Sequence, residues 1–153
     1  MALGEGLGRL IDVEAQVSAG STHVHCVNLK DAAGVTFVCT GGFNGGGDTF
    51  IVKQSTASVA AAGSFTAFAP ISRYYTKSAL DGTAQWVDSG DLASNIGTIT
   101  IGSGSVAFYV GADDLAAGDM YVEVVPGTSG IVVAILHDLE VQRNPKYLRA
   151  PNS

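Results

Sequence analysis

Apolar residues along this chain recur with a period of two, and helical periodicity is almost absent. Residues 11–17 show the pattern most clearly, because apolar and polar side chains alternate there: Ile11, Val13, Ala15 and Val17 against Asp12, Glu14 and Gln16. Successive side chains of a β-strand point to opposite faces, so this alternation predicts a half-buried strand. A chain built from such segments can bury its apolar faces only by packing sheets together.

Similar segments follow at intervals of roughly 8–15 residues, with turn signals between them. We predict strands over 11–17, 22–29, 35–40, 49–53, 65–69, 71–76, 85–87, 97–101, 105–110, 120–125 and 131–141. Residues 65–69 and 71–76 are expected to form one strand bent or interrupted at Pro70, and residues 30–34 a hairpin loop. The spacing predicts an all-β fold of about ten strands, an antiparallel β-sandwich or a jelly-roll-like barrel.

The chain of 153 residues is predicted to hold one β-sandwich domain over residues 9–143. Residues 1–8 contain a Gly-rich run and are expected to form a flexible N-terminal arm, and residues 144–153 contain two prolines and should form an extended tail. Residues 41–48 include five glycines and predict a loop tip that needs positive φ angles or a close approach of the backbone. Residues 113–117 are expected to form a single helical turn that ends at Gly118.

Composition excludes several classes of protein. Charged residues make up 14% of the chain, against about 25% in an average soluble domain, and 46% of residues are hydrophobic, which excludes general disorder and a coiled coil. A pI near 4.7 argues against an electrostatically driven nucleic-acid binder, and no apolar run approaches the length of a membrane span. No signal peptide is predicted, so we expect synthesis in the cytoplasm and favour buried thiols at Cys26 and Cys39 over a disulfide between neighbouring strands.

Charge falls into three blocks. Residues 1–77 carry five basic and five acidic side chains, and residues 78–142 carry nine acidic side chains with no Lys or Arg. Residues 143–153 carry Arg143, Lys146 and Arg149 with no acidic residue, which brings the total to −6. A basic tail on an acidic body suggests a segment that docks on an acidic surface, although a solvated terminus has the same composition.

Few residue patterns point to catalysis or to a metal. His23 and His25 share one strand face and could join His137 in a three-His site, but no carboxylate lies close behind them, so surface or interface histidines are expected. The glycines of residues 4–8 and 41–47 lack the context of a nucleotide-binding loop, and no nucleophile elbow or triad spacing is present. Asp113 and Asp114 are expected to favour the start of a helical turn. We therefore predict no enzymatic activity, no metal and no cofactor.

Aromatic residues allow two interpretations. Tyr74, Tyr75 and Trp86 could form a platform that stacks on sugars, or they could be anchors in the core or in an interface. The second interpretation is expected, and exposure of all three on one face would favour the first.

Three passages resemble the small virion proteins of tailed bacteriophages that lie beside the capsid gene. They are residues 44–48 (NGGGD) with 71–77 (ISRYYTK) and Gln85-Trp86, residues 113–123 (DDLAAGDMYVE), and residues 134–148 (AILHDLEVQRNPKYL). The resemblance covers about residues 40–150, and its most specific part is the closing strand with residues 142–145.

The resemblance implies a decoration, or cement, protein that is located on the virion and binds the major capsid protein on the outer capsid surface as a homo-oligomer, with a trimer favoured. Low charge and extended arms would suit such a role. The residues expected to contact the capsid are Arg143, Lys146, Tyr147 and Arg149 in the tail and Leu3 and Leu7 in the arm. The alternative is a carbohydrate- or receptor-binding β-sandwich module of a phage fibre.

Overall fold

The computed structural model describes residues 11–16, 26–41, 47–58, 64–68, 71–92, 97–127 and 130–139. These residues form eleven strands and one 3₁₀ helix, Ala112–Asp114. The strands are β1 Ile11–Gln16, β2 Val27–Asn28, β3 Ala32–Gly41, β4 Asp48–Ser55, β5 Thr66–Ala67, β6 Tyr74–Lys77, β7 Val87–Asp88, β8 Thr98–Ile101, β9 Gly104–Gly111, β10 Tyr121–Pro126 and β11 Gly130–Leu139.

The strands pair antiparallel in two sheets. Sheet A has the order β1-β11-β3-β9-β6-β7, and sheet B has the order β2-β10-β4-β5. Strand β8 pairs with the same edge of β4 as β5 does, so that β8 and β5 lie end to end along it. Within the described residues the strands form two separate sheets rather than one closed barrel, which confirms the predicted all-β sandwich.

The hydrophobic core lies between the two sheets and follows the alternation of the sequence. In the middle of β3, Val35, Phe37 and Cys39 are buried, and their neighbours Thr36 and Val38 are only half-buried. The Phe37 ring packs on Phe108 of β9 with centroids 5.5 Å apart. Each fully buried side chain of this size stabilises the fold by roughly 1.5–3 kcal/mol. The rest of the core comes from both sheets and includes Phe50, Val52, Ile99, Val106, Val110, Val122, Val124, Val132, Ala134 and Leu136.

The hairpin predicted at residues 30–34 is wrong. Strand β2 pairs with β10 in sheet B, whereas β3 pairs with β9 and β11 in sheet A, so the connection between them crosses from one sheet to the other. A turn closed by a hydrogen bond from the Ala32 amide to the Leu29 carbonyl makes this crossing. Leu29 and Ala32 are buried in the core whereas Lys30 is exposed, so the turn is anchored to the sandwich at both ends of this hydrogen bond.

The single strand predicted across Pro70 is also wrong. Strand β5 belongs to sheet B and β6 to sheet A, so two short strands replace the expected one. Phe68 and Ile71, on either side of the change of sheet, are both buried in the common core. Their burial fixes where the chain passes between the layers, which residue alternation alone does not reveal.

The helical turn predicted at residues 113–117 is observed in shifted form. The 3₁₀ helix Ala112–Asp114 begins earlier, and Gly118 lies in a following turn with φ of +92°. Asp114 Oδ2 accepts a hydrogen bond of 3.0 Å from the Gly111 amide, which is the helix-start role expected of this acidic pair. The described residues contain no helix with the length and apolar character needed to cross a membrane.

Candidate binding surfaces

The side chains predicted to contact the capsid lie outside the described residues. They are Arg143, Lys146, Tyr147 and Arg149 of the tail and Leu3 and Leu7 of the arm. The capsid contacts stay predictions. Of the glycine loop, only Gly41, Gly47 and Asp48 are described, and neither glycine has a positive φ. Gly47 instead lies close to backbone, because a Cβ there would be 2.9 Å from the Ile101 carbonyl oxygen.

Of the three histidines, only His137 lies among the described residues. Its Nε2 lies 2.7 Å from the Thr36 hydroxyl oxygen across strands β11 and β3, and the Tyr109 ring meets its imidazole edge to face at 5.8 Å. Its hydrogen-bonding and ring contacts are therefore structural. Across residues 26–137, where side chains are described with gaps, no three His, Cys, Asp or Glu residues cluster as a metal site would require.

Acidic residues of the sheets are held in structural contacts. Glu123 of β10 is fully buried and faces Lys53 of β4 across the register, with 3.8 Å between Oε1 and Nζ. Asp48 is buried at the start of β4, where its Oδ1 accepts the amide hydrogen of Thr49. Gln54 is buried as well, and its Oε1 accepts a hydrogen bond from the Ala116 amide, which ties the β9–β10 connection to sheet B.

Cys26 and Cys39 are both buried and form no disulfide, as the sequence predicted. Burial raises the pKa of the Cys39 thiol far above its usual value because a thiolate in the core would be desolvated. Cys39 is thus a core residue and not a nucleophile.

The best-defined candidate site is the hairpin formed by β6 and β7 at the edge of sheet A. We call residues 73–90 the edge hairpin. Its strands are short, with Tyr75 opposite Asp88 and Thr76 opposite Val87, so its order depends on side-chain contacts. The Thr76 and Ser89 hydroxyls lie 2.8 Å apart, the Tyr74 amide donates to the Gly90 carbonyl oxygen at 3.0 Å, and the Ser89 amide donates to the Tyr74 carbonyl oxygen at 2.9 Å.

An ion pair joins the two strands of the edge hairpin. The Arg73 guanidinium donates to Asp88 Oδ2 through Nε at 2.8 Å and through a second, shorter contact from its terminal nitrogen. The hydrogen bond from Arg73 lowers the pKa of the Asp88 carboxyl, with a smaller contribution from the Gly90 amide. The same guanidinium lies 5.6 Å from the centroid of the Tyr75 ring, within cation–π range.

The tip of the edge hairpin is organised by Asp81. Its Oδ1 accepts hydrogen bonds from the Thr83 hydroxyl at 2.6 Å and the Thr83 amide at 2.9 Å, the pattern of an Asx turn. These bonds lower the pKa of Asp81. Gly82, with φ of +86°, supplies the left-handed residue between them.

The edge hairpin exposes large apolar side chains. The exposed fractions are 37% for Tyr75, 51% for Leu80, 46% for Trp86 and 60% for Val87. Tyr74 differs from them, because it is half-buried and packs against the core. The three aromatics therefore do not share one exposed face: Tyr74 supports the core, whereas the core interpretation is wrong for Trp86 and Tyr75.

The sequence predicted the strands of this hairpin, over 71–76 and 85–87, with a turn signal between them. It did not predict their place at the edge of sheet A or the exposure of Leu80 and Val87.

Comparisons with protein-family models, with curated proteins and with solved structures find no match to this chain. The resemblance to phage virion proteins is therefore carried by the residues quoted for it alone.

Proposed function

We propose that this protein is a non-enzymatic structural protein of a phage virion, which binds the outer capsid surface and stabilises the shell. The observation that carries the proposal is the edge hairpin, which is ordered by polar contacts and yet exposes Trp86, Leu80, Val87 and Tyr75. Aromatic and aliphatic side chains held rigidly at a surface are typical anchors of protein–protein interfaces.

The order of the hairpin supports a binding role on energetic grounds. The Arg73–Asp88 ion pair and the Asp81–Thr83 turn fix the hairpin before any partner is present. A rigid element loses little conformational entropy on docking, so more of its apolar contact area is converted into affinity. The partner in this proposal is the major capsid protein, and the proposed location is the virion.

Co-sedimentation with capsids of the encoding phage, assembled without this protein, tests the proposal. The full chain should sediment with the capsids at a fixed ratio and should raise the temperature at which they open. Absence of the full chain from the capsid pellet would contradict the proposed function.

Two variants assign the contact. Deleting residues 144–153 should abolish co-sedimentation if the basic tail is the strap, while thermal unfolding of the domain stays unchanged.

Trp86→Ala should weaken binding by at least about tenfold if the edge hairpin is an anchor, since truncation of a central aromatic costs about 2 kcal/mol or more. Thr100→Ala, at an exposed position of β8, is the matched control that should bind normally.

A second function is favoured by one observation, the joint exposure of Trp86 and Tyr75 on the edge hairpin. Exposed aromatic rings stack on the apolar faces of sugars, as in a carbohydrate- or receptor-binding module of a fibre. Trp86 is the chain's single tryptophan, so titrating the protein with a panel of bacterial surface oligosaccharides while following its fluorescence gives a direct measurement. Saturable quenching that Trp86→Phe or Tyr75→Ala weakens would favour this function, and a flat response would exclude it for those sugars.

A further inference from the structure

The outer face of sheet A is free of formal charge across its three central strands. Alternation directs Val35, Phe37 and Cys39 of β3 into the core, so the residues between them point outward. The same rule applied to β9 and β11 gives an outer set without Asp, Glu, Lys or Arg among the described side chains: Thr36, Val38, Thr40, Ser105, Ala107, Tyr109, Ile131, Val133, Ile135 and His137. We call this set the neutral face.

The register arranges the neutral face in rows that run across the strands. Val133 of β11 lies opposite Val38 of β3, Val38 lies opposite Ala107 of β9, and Ala107 lies opposite Tyr75 of the edge hairpin. A neighbouring row joins Ile135, Thr36 and Tyr109. Directly opposed residues share a face at short Cβ separation, so these side chains form one patch. The patch ends at charged residues of the edge hairpin, since Lys77 lies opposite Ser105 and Asp88 lies opposite Tyr75. Tyr109 and Ile131 are 45% and 40% exposed.

The polar side chains described on the neutral face form hydrogen bonds with other groups of the chain and not with charged side chains. The Tyr109 hydroxyl donates to the Ala33 carbonyl oxygen at 3.1 Å, and its ring lies against His137 and directly over Gly34. A Cβ at Gly34 would collide with the Tyr109 ring, so glycine is what allows the tyrosine to lie close to the sheet. The face is therefore shaped in advance of any contact.

The outer face of sheet B is different. It carries the Lys53–Glu123 ion pair and a hydrogen bond of 3.3 Å from the Asn28 amide to the Tyr121 hydroxyl. Its exposed and half-buried positions on β4 and β8 are Thr49, Ile51, Lys53, Thr98 and Thr100. Sheet B therefore places charged side chains on its outer face, which the three central strands of sheet A do not do within the described residues.

We infer that the neutral face is the surface through which copies of this chain associate with one another. The whole chain carries a net charge of −6, so two copies repel wherever acidic surfaces approach. Like charges brought together in a contact cost several kcal/mol, whereas the neutral face can be covered by a second copy without placing any carboxylate against another. Its apolar rows supply the buried area, and the satisfied Thr36, Tyr109 and His137 groups need no new partner.

The inference is independent of what the edge hairpin binds, and the oligomeric mass tests it. Sedimentation equilibrium of the full chain over about 1–100 µM, the range of ordinary reversible association, should give a mass that is a multiple of 15.6 kDa. Ile131→Glu and Val38→Glu each place a carboxylate on the neutral face and should weaken association by at least about tenfold. Thr100→Glu adds the same charge to the outer face of sheet B and should leave the mass unchanged.

Two results overturn the inference: a monomeric mass for the unmodified chain over the whole range, or a multiple of the chain mass that survives in both neutral-face variants. Ile131 is 40% exposed, so a glutamate there leaves the core intact and keeps the test valid even if Val38→Glu fails to fold. Circular dichroism and thermal unfolding of each variant establish that the change in mass is not a loss of structure.

Discussion

Among the glycines that the structure describes, Gly104 has the closest backbone contact to an added side chain. It begins β9 with φ of +125°, and a Cβ there would collide with the Lys77 carbonyl oxygen of β6. Left-handed backbone costs about 1–2 kcal/mol for a residue with a Cβ, and the backbone contact adds to that cost. We expect Gly104→Ala to lower the free energy of unfolding by more than about 2 kcal/mol in urea denaturation.

Substitutions at two other glycines separate the cost of a positive φ from the cost of the backbone collision in Gly104→Ala. Gly90 has φ of +84° but nothing within 4 Å of the added Cβ, so Gly90→Ala should cost only the conformational part, about 1 kcal/mol. Gly102 lies in open space without a positive φ, and Gly102→Ala should change stability by less than about 0.5 kcal/mol. Equal effects at all three positions would contradict the assignment of strain to Gly104.

The two thiols give a second test at the scale of residues. Cys26 and Cys39 are 3% and 0% exposed, and burial holds the Cys39 thiol in its protonated form. Reaction with a thiol-specific disulfide reagent at pH 8 should therefore be negligible for the folded protein and should reach two thiols per chain in denaturant. Rapid labelling of either cysteine without denaturant would show that the core opens more readily than its packing indicates.

At the scale of elements, the edge hairpin should lose order in acid. The pKa of Asp88 is lowered in the folded state, so its pairing with Arg73 is fully present above the usual carboxyl pKa and is lost as pH falls through the folded value. The pKa of Asp81 is lowered as well, so its hydrogen bonds from Thr83 are also present above the usual carboxyl pKa and are lost as pH falls. The protection of the backbone amides of residues 75–88 against hydrogen exchange, corrected for the intrinsic exchange rate at each pH, should fall over that acidic range.

Asp88→Asn serves as the comparison for this acid effect. The variant should show reduced protection of the hairpin already at neutral pH, and most of the acid-dependent loss should be absent. Asp113→Asn removes an exposed carboxylate outside the hairpin and should behave as the unmodified chain. An unchanged acid response in Asp88→Asn would show that other groups govern the order of the hairpin.

Strand positions followed from period-two alternation, because burial of one face imposes that pattern directly on the sequence. The strands predicted over 35–40 and 105–110 lie within β3 and β9, where Phe37 and Phe108 are buried. The assignment of strands to sheets was not predictable in the same way. Alternation around Leu29 and Phe68 is identical whether the chain turns back in the same sheet or crosses to the other, and only packing between distant segments decides.

At the scale of the whole molecule, the binding surfaces were less predictable than the fold. The exposure of Trp86 goes with its place beside the edge strand of sheet A, and an aromatic residue next to a strand is equally compatible with the core. The neutral face arises because outward positions of β3, β9 and β11 coincide through their register. No local sequence pattern contains that register, since the strands are far apart along the chain.

The uncharged character of the neutral face determines how self-association should respond to salt. Two copies with a net charge of −6 repel at long range, and about 0.1 M salt screens this repulsion beyond roughly 10 Å. A contact without ion pairs across it loses nothing to screening, so raising sodium chloride from about 0.05 to 0.5 M should lower the dissociation constant measured by sedimentation equilibrium. Association through opposite charges, such as a basic tail on the acidic body, would weaken over the same range. Deletion of residues 144–153 provides the control: association should persist in the shortened chain if the neutral face is the contact, and loss of association there would assign the contact to the tail.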